Sequence, residues 1–164
     1  MKKLALTLFL VLGSLTIQAQ GSSESEQAKQ LTWQTDLNKA IEFSKKTKKP
    51  LLLFFTGSDW CGWCMRLQKE VFKTPEFEKW AKDNVVLVEL DYPKRTPQPA
   101  EIQKQNMELQ QTFAVQGYPT VWFVNATRKE GKINLEKLGS TGYVAGGPSA
   151  WLASADQILG NKKS

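Results

Sequence analysis

Two cysteines, Cys61 and Cys64, are the residues of this chain best suited to redox chemistry. They are the only two cysteines in 164 residues and lie within the stretch Trp60-Cys61-Gly62-Trp63-Cys64. A disulfide between them would close a very short loop, and the stability gained from a disulfide grows with loop length. The spacing therefore favours a pair that forms and breaks a disulfide over a pair that staples the fold.

A zinc site is the main alternative use of a Cys-x-x-Cys pair. Structural zinc needs four ligands, usually Cys or His, and the chain contains no histidine and no third cysteine. The sequence therefore predicts no metal site, and no cofactor beyond the Cys61–Cys64 disulfide itself. An inert structural disulfide is the other alternative, and the short loop argues against it.

The first nineteen residues have the layout of a secretory signal peptide. Lys2 and Lys3 precede an apolar run from Leu4 to Leu12, and small and polar residues follow up to Ala19. That run is shorter than the roughly 20 apolar residues that a membrane-spanning helix needs. We expect residues 1–19 to be removed and the mature chain to be periplasmic, soluble and without stable membrane insertion.

The charge pattern argues against a nucleic-acid partner. Without Lys2 and Lys3 the chain keeps twenty basic and sixteen acidic residues, a net charge of +4. The basic residues are scattered, apart from a cluster at 45–49. A nucleic-acid-binding face would carry a basic stripe interleaved with stacking aromatics, and the sequence has none.

Hydrophobic periodicity divides the mature chain into a flexible tether (20–30), one domain (31–160) and a short tail (161–164). Within the domain, continuous apolar runs predict buried strands at 51–56, 85–90 and 120–124, with a hairpin partner at 132–138 and a short first strand at 31–34. Apolar residues at helical spacing predict helices at 36–46, 61–72 with a continuation at 75–82, 100–113 and 148–159. Residues 125–131 are expected to form a turn. The alternation predicts the α/β class, with a central mixed sheet flanked by helices.

This layout places Cys61 at the end of a buried strand and the start of a helix. The unpaired N–H groups and the dipole of a helix N-terminus stabilise a thiolate, and the thiolate is the reactive form of cysteine. We therefore expect Cys61 to be the exposed attacking residue. Cys64 lies one turn further on, where it can complete the disulfide.

Two motifs resemble the thioredoxin superfamily over roughly residues 33–159. Trp60-Cys61-Gly62-Trp63-Cys64 is similar to the family's active centre, and Gly117-Tyr118-Pro119-Thr120 is similar to the loop whose proline is cis and faces the cysteines. The sequence of residues 56–61 and 69–72 most resembles that of exported bacterial thioredoxin-like proteins, which are similar to the periplasmic DsbD C-terminal domain.

The resemblance implies a thioredoxin-like fold and a role for each matching residue. Cys61 would be the nucleophile and Cys64 the resolving thiol. Active-site shaping and substrate binding would fall to Trp60, Gly62, Trp63, Tyr118 and Pro119, with an extended substrate peptide pairing with the Tyr118 backbone.

Two positions depart from the family pattern. Trp63 replaces a small residue or proline, and it is either a docking aromatic or a cover for the helix end. Phe55 stands where many members carry a buried acid that helps to deprotonate the resolving cysteine. Glu89 is a possible replacement proton acceptor with a pKa raised by burial; the alternative is a strand-end carboxylate in water.

The predicted function is that of a thiol–disulfide oxidoreductase, working as a reductase on protein thiols and disulfides. A reductase outside the cytoplasm needs electrons, and a membrane-embedded donor is the expected source. The alternative is a thioredoxin-fold peptide-binding or chaperone-like module without redox turnover. The loop at 92–99, which holds three prolines, either contacts a partner or is a harmless insertion.

Overall fold

The computed structural model describes residues 31–160. The predicted signal peptide (1–19), tether (20–30) and tail (161–164) lie outside the described residues. The described helices are α1 (Leu37–Thr47), α2 (Gly62–Leu67), a π-helix that continues α2 (Gln68–Phe72), α3 (Pro75–Asn84), α4 (Ala100–Thr112) and α5 (Gly147–Gly160). The strands are β1 (Leu51–Thr56), β2 (Val86–Asp91), β3 (Thr120–Lys129) and β4 (Lys132–Thr141).

The four strands form one mixed sheet in the order β2-β1-β3-β4. β1 pairs in parallel with β2, starting with Leu51 opposite Val86, and antiparallel with β3, starting with Leu51 opposite Val124. β1 is therefore central, and all six of its residues are buried. This burial on both faces explains why its sequence is a continuous apolar run.

The side chains of β1 alternate between two hydrophobic clusters. Leu52 and Phe54 point into the cluster that contains both cysteines and the buried Trp151 of α5. Leu51, Leu53 and Phe55 point into the second cluster, which packs against α1 and the C-terminal part of α4. The sheet thus separates the cysteine face from the face covered by α1.

Local sequence signals set several helix boundaries. The Asp36 carboxylate caps α1 by accepting hydrogen bonds from the backbone N–H of Asn38 at 2.8 Å and of Lys39 at 3.3 Å. Thr74 caps α3 in the same way through the Phe77 N–H, and Pro75 occupies the first turn, where no N–H is needed. None of the helices in residues 31–160 is long and apolar enough to cross a bilayer.

The predicted α/β class and mixed sheet flanked by helices are confirmed, but three local expectations are wrong. Residues 31–34 form no strand; Gln34 makes one isolated bridge with Val88. The expected turn at 125–131 shrinks to Glu130 and Gly131, both at positive φ, because this two-residue hairpin loop lets β3 continue to Lys129. The predicted helix at 61–72 begins at Gly62 and widens into a π-helix over its last five residues.

Candidate active site

The two cysteines are joined at the junction of β1 and α2. The S–S bond is 2.10 Å long and the Cα atoms are 5.2 Å apart. Cys61 is the N-cap of α2, and its Sγ accepts a hydrogen bond from the Cys64 backbone N–H at 3.2 Å. Because an N–H of the first helical turn already points at this sulfur, a negative charge on Cys61 Sγ is stabilised in place.

Both cysteines are buried in this disulfide form. Cys61 is 5% exposed and Cys64 is 0% exposed, so the expectation of an exposed Cys61 is wrong for the oxidised protein. Both cysteines belong to a buried hydrophobic cluster, and Trp60, Tyr118 and Tyr143 pack against that cluster.

Trp60 is fixed on three sides. Its indole N–H donates to the Tyr92 carbonyl oxygen at 2.8 Å, and its ring meets the Tyr118 ring edge-on with the centroids 5.5 Å apart. A Cβ atom at position 57 would lie 2.4 Å from the Trp60 ring, so only glycine fits beneath it. Gly57 therefore sets how closely Trp60 approaches the end of β1.

The predicted proline loop lies beside this tryptophan. The Tyr118–Pro119 peptide bond is cis. The Tyr118 ring lies between Trp60 and Tyr92, with its centroid 5.2 Å from that of Tyr92. A Cβ atom at Gly142 would be 3.2 Å from the Pro119 carbonyl oxygen. Residues 92 and 142 therefore both border the proline loop.

Trp63 belongs to a side-chain cluster that the sequence did not reveal. Its ring is 55% exposed and lies 5.1 Å from the Tyr143 ring. The Arg66 guanidinium stacks over both rings, at 5.3 and 5.1 Å from their centroids. Glu70 accepts hydrogen bonds from Arg66 Nε at 2.8 Å and from the Tyr143 hydroxyl at 2.5 Å. Trp63 is thus held in place while half of its ring surface faces solvent.

The Glu70 contacts change the acidity of all three titratable members of this cluster. The hydrogen bonds from Tyr143 and Arg66 lower the pKa of Glu70 below its usual value. The same bonds raise the pKa of Arg66 and of the Tyr143 phenol. The cluster therefore keeps its hydrogen-bonding protonation states across the neutral range.

Asp59 ties the loop at 92–99 to the active-site segment. Its carboxylate accepts hydrogen bonds from three consecutive backbone N–H groups, those of Lys94 (3.0 Å), Arg95 (2.7 Å) and Thr96 (3.0 Å), and from the Thr96 hydroxyl at 3.3 Å. These donors, the Lys94 N–H first, lower the pKa of Asp59. Next to it, Ser58 donates through its N–H and its hydroxyl to the two Asp91 carboxylate oxygens.

Glu89 lies on the sheet face that carries the cysteines, opposite Phe54 in the β1–β2 register. Its side chain is partly buried, and burial, followed by the nearby Asp91 charge, raises its pKa. Within residues 31–160 no hydrogen bond joins its carboxylate to either cysteine. Its role as a proton acceptor stays a prediction. Phe55, in the position of the family's acid, is fully buried on the opposite face.

Six residues of the site were missed by sequence reasoning: Gly57, Asp59, Arg66, Glu70, Tyr92 and Tyr143. Gly57 and Asp59 lie just before the Trp60–Cys64 motif, and their position close to Trp60 was a usable signal. Tyr143 had none, because its partner Glu70 is 73 positions away in the chain. Within the described range no group of three or more His, Cys, Asp and Glu residues is placed to hold a metal ion.

Comparison with known proteins gives consistent matches. The family model described as thioredoxin-like matches residues 32–126. The disulfide bond reductase DsbH of Chlamydia pneumoniae is 34% identical over 158 residues, covering 93% of this chain and 90% of that protein. A solved structure named DsbH oxidoreductase matches with a TM-score of 0.69 and 35% identity, over 79% of this chain and 85% of that one.

The DsbD C-terminal domain of Neisseria meningitidis, in its oxidised form, is a more distant structural match. It has a TM-score of 0.50 and 21% identity, over 77% of this chain and 99% of that one. At this identity the similarity concerns the fold alone.

Proposed function

The chain belongs to the thioredoxin-like family and is a thiol–disulfide oxidoreductase, and from this premise we propose that it acts as a protein-disulfide reductase in the periplasm. The observation that carries the proposal is the Cys61–Cys64 disulfide at the N-terminus of α2, with the Cys64 N–H directed at Cys61 Sγ. In this arrangement the Cys61 sulfur can be a stabilised thiolate, and Cys64 can attack that sulfur in a mixed disulfide and displace the client.

The reaction passes two electrons from the dithiol to a client disulfide. The Cys61 thiolate attacks one client sulfur and forms a mixed disulfide, and the other client sulfur leaves as a thiolate that takes up a proton. Cys64, after losing its proton, attacks Cys61 Sγ, re-forms the Cys61–Cys64 bond and releases the second client thiol. A dithiol donor must then reduce the enzyme, and for an exported protein we propose a membrane-embedded donor.

The direction of electron flow is supported by one relative. DsbH of Chlamydia pneumoniae, to which the chain is similar over most of both sequences, carries the name disulfide bond reductase. The periplasmic location is supported by the charged, apolar and small-residue layout of residues 1–19. We propose the same boundaries as the sequence analysis: signal peptide 1–19, tether 20–30, domain 31–160 and tail 161–164.

The client groove runs over the Tyr118–Pro119 bond. In this proposal an extended client chain lies along Tyr118, with Trp60 on one side and Trp63 on the other. Gly62 leaves the helix start open between them, since nothing lies within 4 Å of the place where its Cβ would be. Glu89 is the proposed proton acceptor for Cys64.

Turnover of a test protein disulfide, with dithiothreitol as the electron source, tests the activity. We expect Cys61→Ser to abolish turnover, and Cys64→Ser to accumulate a mixed disulfide between Cys61 and the client. A wild-type protein that binds the client without any turnover would instead support the alternative of a peptide-binding or chaperone-like module.

The reduction potential of the Cys61–Cys64 couple tests the direction. A value near −270 mV, the thioredoxin end of the scale, supports a reductase that needs a donor. A value near −120 mV belongs to a strong oxidant and would contradict the proposed direction.

A further inference from the structure

The loop of residues 92–99 is held against the active-site segment at its start and in its middle, and against the end of β2 near its own end. At its start, the Tyr92 carbonyl oxygen accepts the Trp60 indole N–H at 2.8 Å. In its middle, Asp59 binds the three consecutive N–H groups described above. Near its end, the Gln98 side chain donates to the Asp91 carbonyl oxygen at 3.0 Å. Specific hydrogen bonds therefore fix the loop as a border of the site. A harmless insertion would not need these bonds.

This anchoring places the ammonium group of Lys94 on the active-site tryptophan. Lys94 Nζ lies 4.1 Å from the centroid of the Trp60 ring, within the range of a cation–π contact. The same ring meets Tyr118 edge-on, and Trp60 directly precedes Cys61. The cation thus lies on a side chain that borders the proposed client groove and that directly precedes Cys61 in the sequence.

The acidic groups around Lys94 are already engaged. Asp59 accepts four hydrogen bonds from the loop, and both Asp91 oxygens are bound by Ser58. Within residues 31–160 no carboxylate forms an ion pair with the Lys94 ammonium, and Arg95 beside it is exposed as well. Across the groove, Arg66 is paired with Glu70. The cation without a direct counter-charge is therefore on the Trp60 side.

We propose that Lys94 is a specificity-determining residue that favours client disulfides flanked by acidic residues. The inference rests on the proposed reductase function and names a substrate class for the same groove. A cation–π contact at an exposed site is about as weak as a surface ion pair. The ring can therefore hold the ammonium group near the groove and release it to an incoming carboxylate.

Two matched peptide disulfides test this preference. They share length and sequence, except that Asp and Glu flank the cysteine in one and Asn and Gln flank it in the other. We expect wild-type protein to reduce the acidic peptide with a kcat/KM about two- to fivefold higher, the size of one surface charge pair. The ratio should fall toward one in 0.5 M salt, because exposed charges are screened.

The variant Lys94→Gln should bring the ratio toward one, and Lys94→Arg should retain most of it. Lys45→Gln is the matched control, since it removes the same charge from α1 on the opposite side of the sheet, and it should leave the ratio unchanged. A merely structural effect, or an effect on Cys61 acidity, would change both peptides equally and leave the ratio intact.

The outcomes separate the two proposals. Reduction of both peptides at equal rates by wild-type protein, or an undiminished ratio in Lys94→Gln, overturns the role of Lys94 and leaves the reductase function standing. Reduction of neither peptide by the dithiol form overturns both.

Discussion

The Cys61 sulfur is controlled by a small number of neighbouring atoms. The Cys64 N–H points at it from 3.2 Å, and the residue is buried in the disulfide form. The N–H stabilises a thiolate, whereas burial removes water and favours the neutral thiol. The helix start must therefore outweigh burial for Cys61 to be reactive at neutral pH.

Glu89→Gln tests whether a carboxylate assists the second step of the reaction. Burial raises the pKa of Glu89 above its ordinary value of 4.5, so the fraction of ionised carboxylate rises with pH above that value. If Glu89 accepts the Cys64 proton, the wild-type resolution rate rises over the same range and the Gln variant shows a flatter profile. Rapid-quench measurement of mixed-disulfide decay between pH 4 and pH 8 would show the difference.

A stability measurement serves as the control for this variant. The folded protein binds the Glu89 proton more tightly than the unfolded chain, so this group reduces stability as pH rises through its raised pKa. Relative to wild type, Glu89→Gln should therefore gain stability between pH 4 and pH 7.5. Glu108→Gln on α4, an exposed carboxylate, should change neither readout. An unaltered pH profile for resolution would remove Glu89 from the mechanism.

Single residues were predictable where their signal is local in the sequence. Cys61, Cys64 and Pro119 are recognisable because their neighbours in the chain carry the motif. The loop donors bound by Asp59 begin 35 positions further along the chain, and Tyr143 meets Glu70 only after the intervening strands have folded. No periodicity encodes such pairings, because they depend on which loops the sheet brings together.

The loop of residues 92–99 is bound to the active-site segment through Asp59. Asp59→Asn tests the anchor, because an amide has one acceptor oxygen where the carboxylate offers two and a charge. We expect faster hydrogen exchange at the amides of residues 94–96 in this variant, measured by NMR near pH 6. Exchange rates at these amides that equal those of wild type would contradict the anchoring.

The pKa of Asp59 determines how far the pH can fall before this anchor weakens. The folded-state pKa of Asp59 lies below its ordinary value of 3.8, so its contribution is fully present above 3.8 and is lost only as pH falls through the lower folded value. Protection of amides 94–96 should therefore persist at pH 4. Asp91→Asn is the control: it removes the charge and one of the two acceptor oxygens that bind Ser58, and it should leave the amides of 94–96 protected.

At the scale of elements, type and order were predictable and boundaries were less so. The apolar runs located β1 and β2 because both strands are flanked by buried surfaces. The hairpin was underestimated since the outer halves of β3 and β4 are polar and exposed, and exposed strands lack a strong hydrophobic pattern. The π-helix was missed because its residues continue the helical pattern of α2.

At the scale of the whole domain, the sheet separates a structural core on one face from the redox centre on the other. One face, with Leu51, Leu53 and Phe55, is a core that α1 covers. The other face carries the disulfide together with Trp33, Phe72, Phe77 and Trp151, whose rings contact one another. The redox centre is thus part of the aromatic core. We therefore expect a change of redox state to alter the free energy of unfolding of the entire domain.

Stability in the two redox states gives a test at this scale. Folding and disulfide formation are linked by a thermodynamic cycle. The oxidised and reduced proteins therefore differ in their free energy of unfolding by the same amount as the folded and unfolded chains differ in their free energy of disulfide formation. In a strong oxidant the reduced form is the more stable one. For a reductase we expect the reverse: reduction should destabilise the domain by up to about 2 kcal/mol, the chain-entropy value for a loop of about four residues.

Guanidinium unfolding with and without dithiothreitol measures this difference. The double variant Cys61→Ser, Cys64→Ser is the control and should unfold at the same midpoint in both conditions. If the reduced wild-type protein is more stable than the oxidised one, folding favours donation of the disulfide to clients. The protein would then be an oxidant.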